Sequence, residues 1–261
     1  MITVDEKSTR PVVLTIAGLD PSGGAGIIAD IRAISHFDCI PVAAVTSLTF
    51  QTSKSMSGAA HQTAETVRAQ IKSARAENSI AAVKTGMLPT REVVQELVTL
   101  IRDGLLAAPV IDPVMRSSSG YDLIEADAWE LLLTDLMPLA RVITPNIPEA
   151  ERITGRQISD EEGMRRAANQ IREMGARAVL IKGGHLSQER SPMRTVPRQA
   201  IDVMNEAGEV TVFRSDWIEG PPMRGTGCSL SAGIAACLAK GMTLQEAAAA
   251  AKHFVAIARF I

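Results

Sequence analysis

Short apolar segments alternate along the chain with longer segments in which apolar residues recur at helical spacing. Because each short segment ends in a glycine, a proline or a polar turn, we interpret these segments as strands joined by helices. This alternation is typical of βα units, which wind into a mostly parallel sheet with helices on both faces. The six predicted strands are residues 12–17, 42–48, 81–84, 110–112, 142–144 and 178–181.

The segments of helical spacing predict eight helices. They begin near residues 25, 63, 90, 125, 148, 160, 228 and 244. Ser159 with Glu162 has the spacing of a capping box, a pattern that marks a helix start. Thr243 with Glu246 has the same spacing before the last helix.

The alternation of predicted strands and helices ends after the sixth strand. Residues 187–199 are polar and hold two prolines, which is typical of a surface loop. Residues 201–204 and 210–213 then flank a turn-like segment and predict an antiparallel hairpin on the sheet edge. The sequence thus predicts an α/β fold of three layers, α/β/α, with a mostly parallel central sheet. We expect one domain over residues 1–261, with residues 1–11 as a flexible extension.

Composition narrows the class of protein. With 261 residues, 46% of them hydrophobic, the chain can bury a large core, which excludes a disordered protein. A net charge of −2 gives no general attraction to nucleic acid or to anionic membranes, so we expect neither as a partner. The N-terminus does not resemble a signal peptide, and no apolar run approaches the roughly 20 residues of a membrane span. Three cysteines, an odd number, predict free thiols, and we expect a cytoplasmic protein.

The loop after the first strand, residues 18–26, is rich in glycine and opens a helix. Backbone in such a loop can approach a ligand closely, although the glycines could equally serve only a tight turn. The loop lacks the lysine of a Walker A motif, and the second strand lacks the terminal acid of a dinucleotide site. Asp30 lies one helical turn further on, where an acidic residue is usually solvated.

A second glycine-rich segment, residues 225–227, precedes Cys228 and a helix of small residues. The N–H groups at such a helix start form an anion site, which suits a phosphoryl group in transfer. The same field is expected to lower the pKa of the Cys228 thiol, so that a thiolate could act as a base. The alternative is a buried cysteine that acts as a small hydrophobe, as we expect for Cys39 and Cys237.

Polar side chains stand at the ends of three later strands. Asp112 ends the fourth strand, Asn146 and Glu149 follow the fifth, and Lys182 follows the sixth. Because ligands collect beyond the carboxyl ends of parallel strands, we expect these groups to converge. Carboxylate oxygens suit Mg²⁺, and a lysine suits a phosphate. Each group alone would be an ordinary strand-end residue, but together with two glycine-rich loops they favour phosphoryl transfer.

Six motifs in this order resemble those of one enzyme family. They are LTIAGLDPSGGAGIIAD, KTGML, IDPVM, ITPNIPEA, IKGGHL and GTGCSLSA. The chain is similar, from Val12 to the final helix, to the hydroxymethylpyrimidine and hydroxymethylpyrimidine phosphate kinases of thiamine biosynthesis. The resemblance implies a ribokinase-like fold, a homodimer, and an enzyme that uses ATP and Mg²⁺. It also implies that 4-amino-5-hydroxymethyl-2-methylpyrimidine is phosphorylated first to the monophosphate and then to the diphosphate.

The resemblance also implies roles for individual residues. The anion hole would be formed by Gly225, Thr226 and Gly227, and the base would be Cys228. Mg²⁺ would be held by Asp112 and Glu149, and the ATP phosphates would be met by Asn146 and Lys182. The pyrimidine pocket would be lined by Gln51, Gly18, Asp30, Met87 and Val114. The carboxamide of Gln51 offers both a donor and an acceptor, which complements the aminopyrimidine edge. Met87 sulfur could contact the ring.

The chain departs from the family pattern beside the glycine-rich segment. Arg224 stands where the family commonly has a histidine, after a less polar run at residues 220–223. Ile28 replaces a frequent glutamine, and the neighbours of Gln51 also differ from the usual ones. The nearest alternative is a pyridoxal or pyridoxine kinase of the same fold. Gln51 is the main sequence feature that favours the pyrimidine over pyridoxal. A second alternative is a non-catalytic homologue that binds a nucleotide or a pyrimidine.

Overall fold

The computed structural model describes residues 10–117, 119–184, 199–216 and 224–257. The predicted N-terminal extension up to residue 9, the loop at 187–198 and the less polar run at 220–223 lie outside these residues. Gln199 opens a strand instead of ending the predicted loop. Within the described part of the chain, no helix combines the length and the apolar character that crossing a membrane requires.

Among the described residues, nine strands form one sheet in the order β3-β2-β1-β4-β5-β6-β7-β8-β9. Their bounds are β1 Val12–Leu19, β2 Ile40–Gln51, β3 Met56–His61, β4 Ile80–Thr85, β5 Val110–Ile111, β6 Val142–Ile143, β7 Ala178–Lys182, β8 Gln199–Glu206 and β9 Glu209–Asp216. The pairings from β2 through β1 and β4 to β7 are parallel. The pairings of β2 with β3, of β7 with β8 and of β8 with β9 are antiparallel.

All six predicted parallel strands are present, and the predicted hairpin is formed by β8 and β9. The sequence did not indicate β3, and it did not indicate that β2 continues to Gln51. The residues of β3 include a glycine and only short side chains between Met56 and His61, so they lack the hydrophobic alternation that marks a strand. Pairing with β2 turns this segment into a second antiparallel edge of the sheet.

In the described part of the chain, eight α-helices connect and cover the strands. They are α1 Gly26–His36, α2 Ala64–Glu77, α3 Arg91–Arg102, α4 Ala126–Leu131, α5 Ile147–Thr154, α6 Glu161–Glu173, α7 Thr226–Ala239 and α8 Leu244–Ile257, with a π turn and a 3₁₀ turn after α4. Thr243 and Glu246 exchange the two hydrogen bonds of the predicted capping box. The prediction at Ser159 is wrong by one residue, because Asp160 caps α6 by accepting the N–H of Gly163.

The two faces of the sheet are covered by separate hydrophobic clusters, which confirms the three-layer prediction. Along β1, Leu14 and Ile16 belong to the cluster beneath α2 to α6, whereas Val13 belongs to the cluster beneath α1, α7 and α8. This alternation buries both faces of the central strand. Cys39 and Cys237 lie in the second cluster as buried free thiols, as expected of small hydrophobes.

Candidate active site

The two glycine-rich loops meet at the carboxyl edge of the sheet. Gly225 is the N-cap of α7 with φ +71°, and a Cβ atom there would collide with the carbonyl oxygen of Gly24. Only glycine therefore lets the start of α7 and the β1–α1 loop come this close. The N–H groups of the first turn of α7, from Thr226 onward, cannot be satisfied within the helix. The junction of the two loops thus offers backbone donors to an anion.

Gly227 brings these donors next to the charged ends of β5 and β7. A Cβ atom on Gly227 would lie 3.0 Å from Nζ of Lys182 and 3.8 Å from Oδ2 of Asp112. Lys182 Nζ donates a hydrogen bond to Asp112 Oδ1 at 2.6 Å. Burial disfavours the charged form of Lys182, but the charges of Asp112 and Glu149 outweigh it and raise the lysine pKa. An ammonium group and backbone donors therefore face the same space, which suits a phosphoryl group.

Asn146 and Glu149 lie at the same edge, where they also begin α5. Asn146 Oδ1 accepts the N–H of Glu149 at 2.9 Å, and Glu149 Oε2 accepts the N–H of Asn146 at 2.8 Å. These reciprocal bonds form a capping box. A bridge between the backbones of Asn146 and Lys182 fixes the end of β6 beside β7. Both side chains thus have a structural function at the position where the resemblance implies nucleotide and metal contacts.

Asp112 and Glu149 are the side chains that would hold a metal ion. Burial raises the pKa of Glu149 to about 7, Lys182 opposes this rise, and the negative charge of Asp112 adds to it. Among the residues that the structure describes, no three or more His, Cys, Asp or Glu side chains form a metal-binding group. This donor set fits Mg²⁺, which takes one or two carboxylates and completes its shell with substrate phosphates and water. A divalent cation would also relieve the repulsion between the two carboxylates.

Cys228 lies in the first turn of α7, yet the predicted lowering of its pKa is wrong. Burial raises the pKa of the thiol to about 12, Lys84 opposes this rise, and Asp112 and Asp30 add to it. Desolvation and two nearby carboxylates therefore outweigh the positive end of the helix. The backbone N–H of Gly26, at the start of α1, opposes the rise in the thiol pKa as well. In the free protein Cys228 is a thiol rather than a thiolate.

Gly18 and Met87, both assigned to the pyrimidine pocket by the resemblance, are neighbours. A Cβ atom on Gly18 would lie 2.9 Å from the sulfur of Met87, and the Thr46 hydroxyl donates to the Met87 carbonyl oxygen at 2.6 Å. Val114 is half-buried two residues beyond Asp112, and its N–H donates to the Asp112 carbonyl oxygen at 2.8 Å. The ends of β1, β4 and β5 thus bring three of the expected pocket residues to one edge of the sheet.

Gln51 is the last residue of β2 and is held at the same edge by Arg224. Gln51 Oε1 accepts a hydrogen bond from Arg224 Nη2 at 2.7 Å, and the carbonyl oxygen of Thr52 accepts one from Nη1 at 2.5 Å. Sequence reasoning singled out Arg224 as a departure from the family but could not assign its contacts. They involve residues more than 170 positions away along the chain.

Asp30 is completely buried, which contradicts the expectation of a solvated helix residue. Asp30 Oδ2 accepts hydrogen bonds from Lys84 Nζ at 2.7 Å and from the Thr15 hydroxyl at 2.6 Å. Asp30 Oδ1 is buried without a hydrogen bond to any described residue, so it is the atom that could meet a ligand. Burial disfavours the charged form of Lys84, but the Asp30 carboxylate outweighs it and raises the lysine pKa. The two side chains form an ion pair inside the protein.

Lys84 is the residue of this region that sequence reasoning missed. In the sequence it stands out only as the last residue of the predicted strand 81–84 and the first residue of the motif KTGML. A signal was present, because a lysine inside the apolar strand β4 must be paired with a carboxylate if it is buried. The carboxylate itself could not be identified from spacing, since Asp30 lies 54 positions earlier on α1.

Comparison with known proteins agrees with the predicted fold and family. The phosphomethylpyrimidine kinase family matches residues 20–259. A hydroxymethylpyrimidine/phosphomethylpyrimidine kinase of Streptomyces coelicolor is 38% identical over 247 residues, which cover 95% of this chain and 88% of that protein. The crystal structure of phosphomethylpyrimidine kinase from Clostridium difficile 630 superposes with a TM-score of 0.80 and 34% identity, covering 96% of this chain and 100% of that chain.

An ADP complex of Bacillus subtilis pyridoxal kinase is similar to the same extent. Its TM-score is 0.82 at 34% identity, and the superposition covers 94% of this chain and 90% of that chain. The fold is therefore shared by kinases of both names, and the predicted ribokinase-like architecture is confirmed. The family match and the curated relative extend over nearly the whole length of the sequence. On these grounds the chain belongs to the phosphomethylpyrimidine kinase family.

Proposed function

We propose that the protein is an ATP-dependent kinase that phosphorylates 4-amino-5-hydroxymethyl-2-methylpyrimidine and then its monophosphate, to give the diphosphate used in thiamine biosynthesis. The observation that carries this proposal is the proximity of Gly227, Lys182 and Asp112, which brings a glycine-rich helix start together with an ammonium and a carboxylate. The name of the Streptomyces coelicolor relative supports the two acceptors. The ADP bound to the pyridoxal kinase supports an adenine nucleotide as the donor.

Phosphoryl transfer requires positioning and charge stabilisation more than covalent chemistry. The N–H groups of residues 225–227 would hold the phosphoryl group, and Lys182 with Asn146 would hold the nucleotide phosphates. Asp112 and Glu149 would hold Mg²⁺, which supplies charge neutralisation at the phosphates when it is bound. Lys182 is already fixed by Asp112 at 2.6 Å, so little reorganisation is needed to present its charge.

The acceptor would lie on the side formed by the ends of β1, β2 and β4. Gln51 would contact the polar edge of the pyrimidine, and Gly18, Met87 and Val114 would provide the apolar surroundings of the ring. Asp30 would contribute through Oδ1, the oxygen that Lys84 and Thr15 leave without a hydrogen bond. The Met87 sulfur comes so close to Gly18 that a side chain there would collide with it, and this sulfur could pack against an aromatic ring.

Cys228 would accept the proton of the hydroxymethyl group. Because its thiol is protonated in the free protein, this role requires that bound cations and substrate lower its pKa. The positive charge of Lys84 already lowers the pKa of the Cys228 thiol, although burial outweighs it. In a loose phosphoryl-transfer transition state the nucleophile develops little charge before the bond forms, so the demand on a base is modest.

Turnover of three acceptors tests the proposal. The wild-type protein is incubated with ATP, Mg²⁺ and, separately, the pyrimidine alcohol, its monophosphate or pyridoxal, and ADP release is followed together with the mass of the product. We expect the highest kcat/KM with the pyrimidine alcohol, and a diphosphate from the monophosphate. Higher kcat/KM with pyridoxal would favour the alternative that the likeness to pyridoxal kinase supports. Nucleotide binding without turnover of any acceptor would favour a non-catalytic homologue.

Three further expectations are part of the proposal: a single domain, a homodimer and a location in the cytoplasm. Leu48 and Phe50 of β2 are 43% and 54% exposed. They lie two positions apart and therefore on one side of the strand. Two large apolar side chains together at the surface support a partner copy in this region.

A further inference from the structure

Arg224 joins three segments that are far apart in the sequence. Its Nη1 donates to the carbonyl oxygen of Thr52 at 2.5 Å and to Oγ of Ser22 at 3.3 Å. Its Nη2 donates to Oε1 of Gln51 at 2.7 Å and lies 3.4 Å from Oδ2 of Asp20. The guanidinium therefore fastens the end of β2 and the β1–α1 loop to the start of α7.

The surroundings of Arg224 are built to hold a cation. The side chain of Asp20 is only 1% exposed, and that of Arg224 is 19% exposed. Asp20 Oδ1 accepts the N–H and the hydroxyl of Ser22, whereas Oδ2 is buried without a hydrogen bond to any described residue. Asp20 thus attracts the guanidinium by its charge, while the two shortest hydrogen bonds of Arg224 go to Gln51 and Thr52 at the end of β2.

The contact with Arg224 decides which way the carboxamide of Gln51 faces. A guanidinium carries five N–H donors and no acceptor, so the Gln51 atom 2.7 Å away is the carbonyl oxygen. In the flipped orientation the amide NH₂ of Gln51 would meet another donor, and the hydrogen bond would be lost. Nε2 is therefore left as the atom of Gln51 that can donate to a ligand.

We propose that Arg224 is a positioning residue that sets acceptor specificity, by holding Gln51 so that Nε2 donates to a ring nitrogen of a heteroaromatic alcohol. This inference rests on the proposed function, in which Gln51 contacts the pyrimidine. The ring nitrogen beside the exocyclic amino group is an acceptor and receives this bond. Oε1 keeps a second lone pair that can accept from the amino group. A carboxamide fixed in advance loses less freedom when the acceptor binds.

The contacts of Arg224 belong to the acceptor side of the site. Its four partners come from the β1–α1 loop and the end of β2, whereas the pair of Asp112 and Lys182 lies beside Gly227. Arg224 therefore acts on the acceptor rather than on the nucleotide. Because both proposed acceptors carry the same ring, its effect on the two should be equal.

Arg224→Met tests the proposal, because methionine keeps an apolar stem of similar length but has no donor. We expect KM to rise about tenfold for the alcohol and for the monophosphate alike, the effect of losing a hydrogen bond to a charged group. The value of kcat at saturation should change little, because ground and transition states lose the same contact. Arg224→Lys should restore part of the lost affinity. Arg102→Met, which removes an exposed arginine of α3 paired with Asp135, is the matched control.

An acceptor analogue with C–H in place of the ring nitrogen beside the amino group isolates the hydrogen bond itself. The wild-type protein should discriminate against this analogue, and Arg224→Met should discriminate about tenfold less. A rise in KM for the monophosphate alone would overturn the proposal and make Arg224 a phosphate contact. Unchanged discrimination in a folded Arg224→Met variant would overturn it as well. Failure of the wild-type protein to phosphorylate the pyrimidine would instead defeat the proposed function, before any variant is compared.

Discussion

Two lysine–aspartate pairs of nearly equal length act on the charge state of Cys228, and they differ in their access to solvent. Lys84 and Asp30 are 2.7 Å apart with both side chains fully buried. Lys182 and Asp112 are 2.6 Å apart, and the lysine side chain is 13% exposed. Both pairs influence the thiol, since Lys84 opposes the rise in the Cys228 pKa and Asp112 adds to it.

Two ion pairs of the same chemistry can thus serve different purposes in one site. The Lys84 pair joins α1 to β4 beneath the glycine-rich loops, where no solvent can replace either partner, so it fixes the position of the elements. The Lys182 pair lies beside the backbone donors of Gly227, where an incoming phosphate can compete with Asp112 for the ammonium. Burial, rather than distance, separates a pair whose lysine supports the site from a pair whose lysine can bind a phosphate.

Replacing each lysine by methionine should show which pair supports the fold and which one serves catalysis. These two variants should change stability and kcat by large amounts. Lys84→Met leaves the Asp30 carboxylate buried and unpaired, which should lower the free energy of unfolding by about 3–5 kcal/mol. Because Lys182 itself is 13% exposed, its loss lets water reach the Asp112 carboxylate, so Lys182→Met should cost only about 1–2 kcal/mol, but it should lower kcat by on the order of 10²-fold. Urea unfolding and steady-state ADP release measure the two quantities.

The double variant Asp30→Asn/Lys84→Met provides the control for this comparison. Because it removes the charges of both Asp30 and Lys84, it should recover much of the stability lost in Lys84→Met. An equal loss of stability in Lys84→Met and Lys182→Met would contradict the distinction between the two pairs.

Charges of both pairs act on Cys228, and the chemistry of its thiol should appear in the dependence of activity on pH. With a pKa of about 12 in the free protein, the thiol ionises only slightly at neutral pH. We therefore expect kcat/KM, which reports on the free protein, to rise continuously from about pH 7 to about pH 10 if the thiolate is the base. Cys228→Ala should lower kcat by on the order of 10²-fold and flatten this profile.

Cys237→Ala is the matched control for Cys228→Ala. Cys237 also has a raised pKa, of about 11, but it lies in the hydrophobic cluster beneath α7 and α8. This variant should keep the pH profile of the wild-type protein. A fully active Cys228→Ala variant would remove the base from the proposed mechanism while leaving the anion hole in place.

The order of strands and helices was predictable because it depends on local hydrophobic spacing, which the chain displays clearly from β1 to β7. The edge strand β3 was not predictable, because the short side chains of residues 57–60 gain their strand conformation only by pairing with β2. Helix starts were indicated to within a residue or two, and the error at Ser159 arose because Asp160 offers a competing cap.

The site was predictable where it follows from strand ends and not where it depends on burial. Asp112 and Lys182 converge because parallel strands end at one edge of the sheet. The interior position of Asp30 and the raised pKa of Cys228 depend on how α1 and α7 close over the sheet, which spacing along the chain does not encode. The contact of Arg224 with Gln51 joins segments that are 173 positions apart.

Glu149 adds a third charged group to the pair of Lys182 and Asp112, and its effect should appear in the dependence of stability on pH. Its pKa is raised from the ordinary 4.5 to about 7, mainly by burial. The folded protein therefore keeps this proton between about pH 4.5 and 7 while the unfolded chain has lost it. This contribution to stability is fully present below pH 4.5 and declines by about 1.4 kcal/mol per pH unit until the folded carboxyl ionises near pH 7. Glu149→Gln should remove that slope in urea unfolding measured from pH 5 to 7, whereas Glu162→Gln, at an exposed carboxyl of α6, should retain it. A slope that persists in Glu149→Gln would mean that a group other than Glu149 carries the proton.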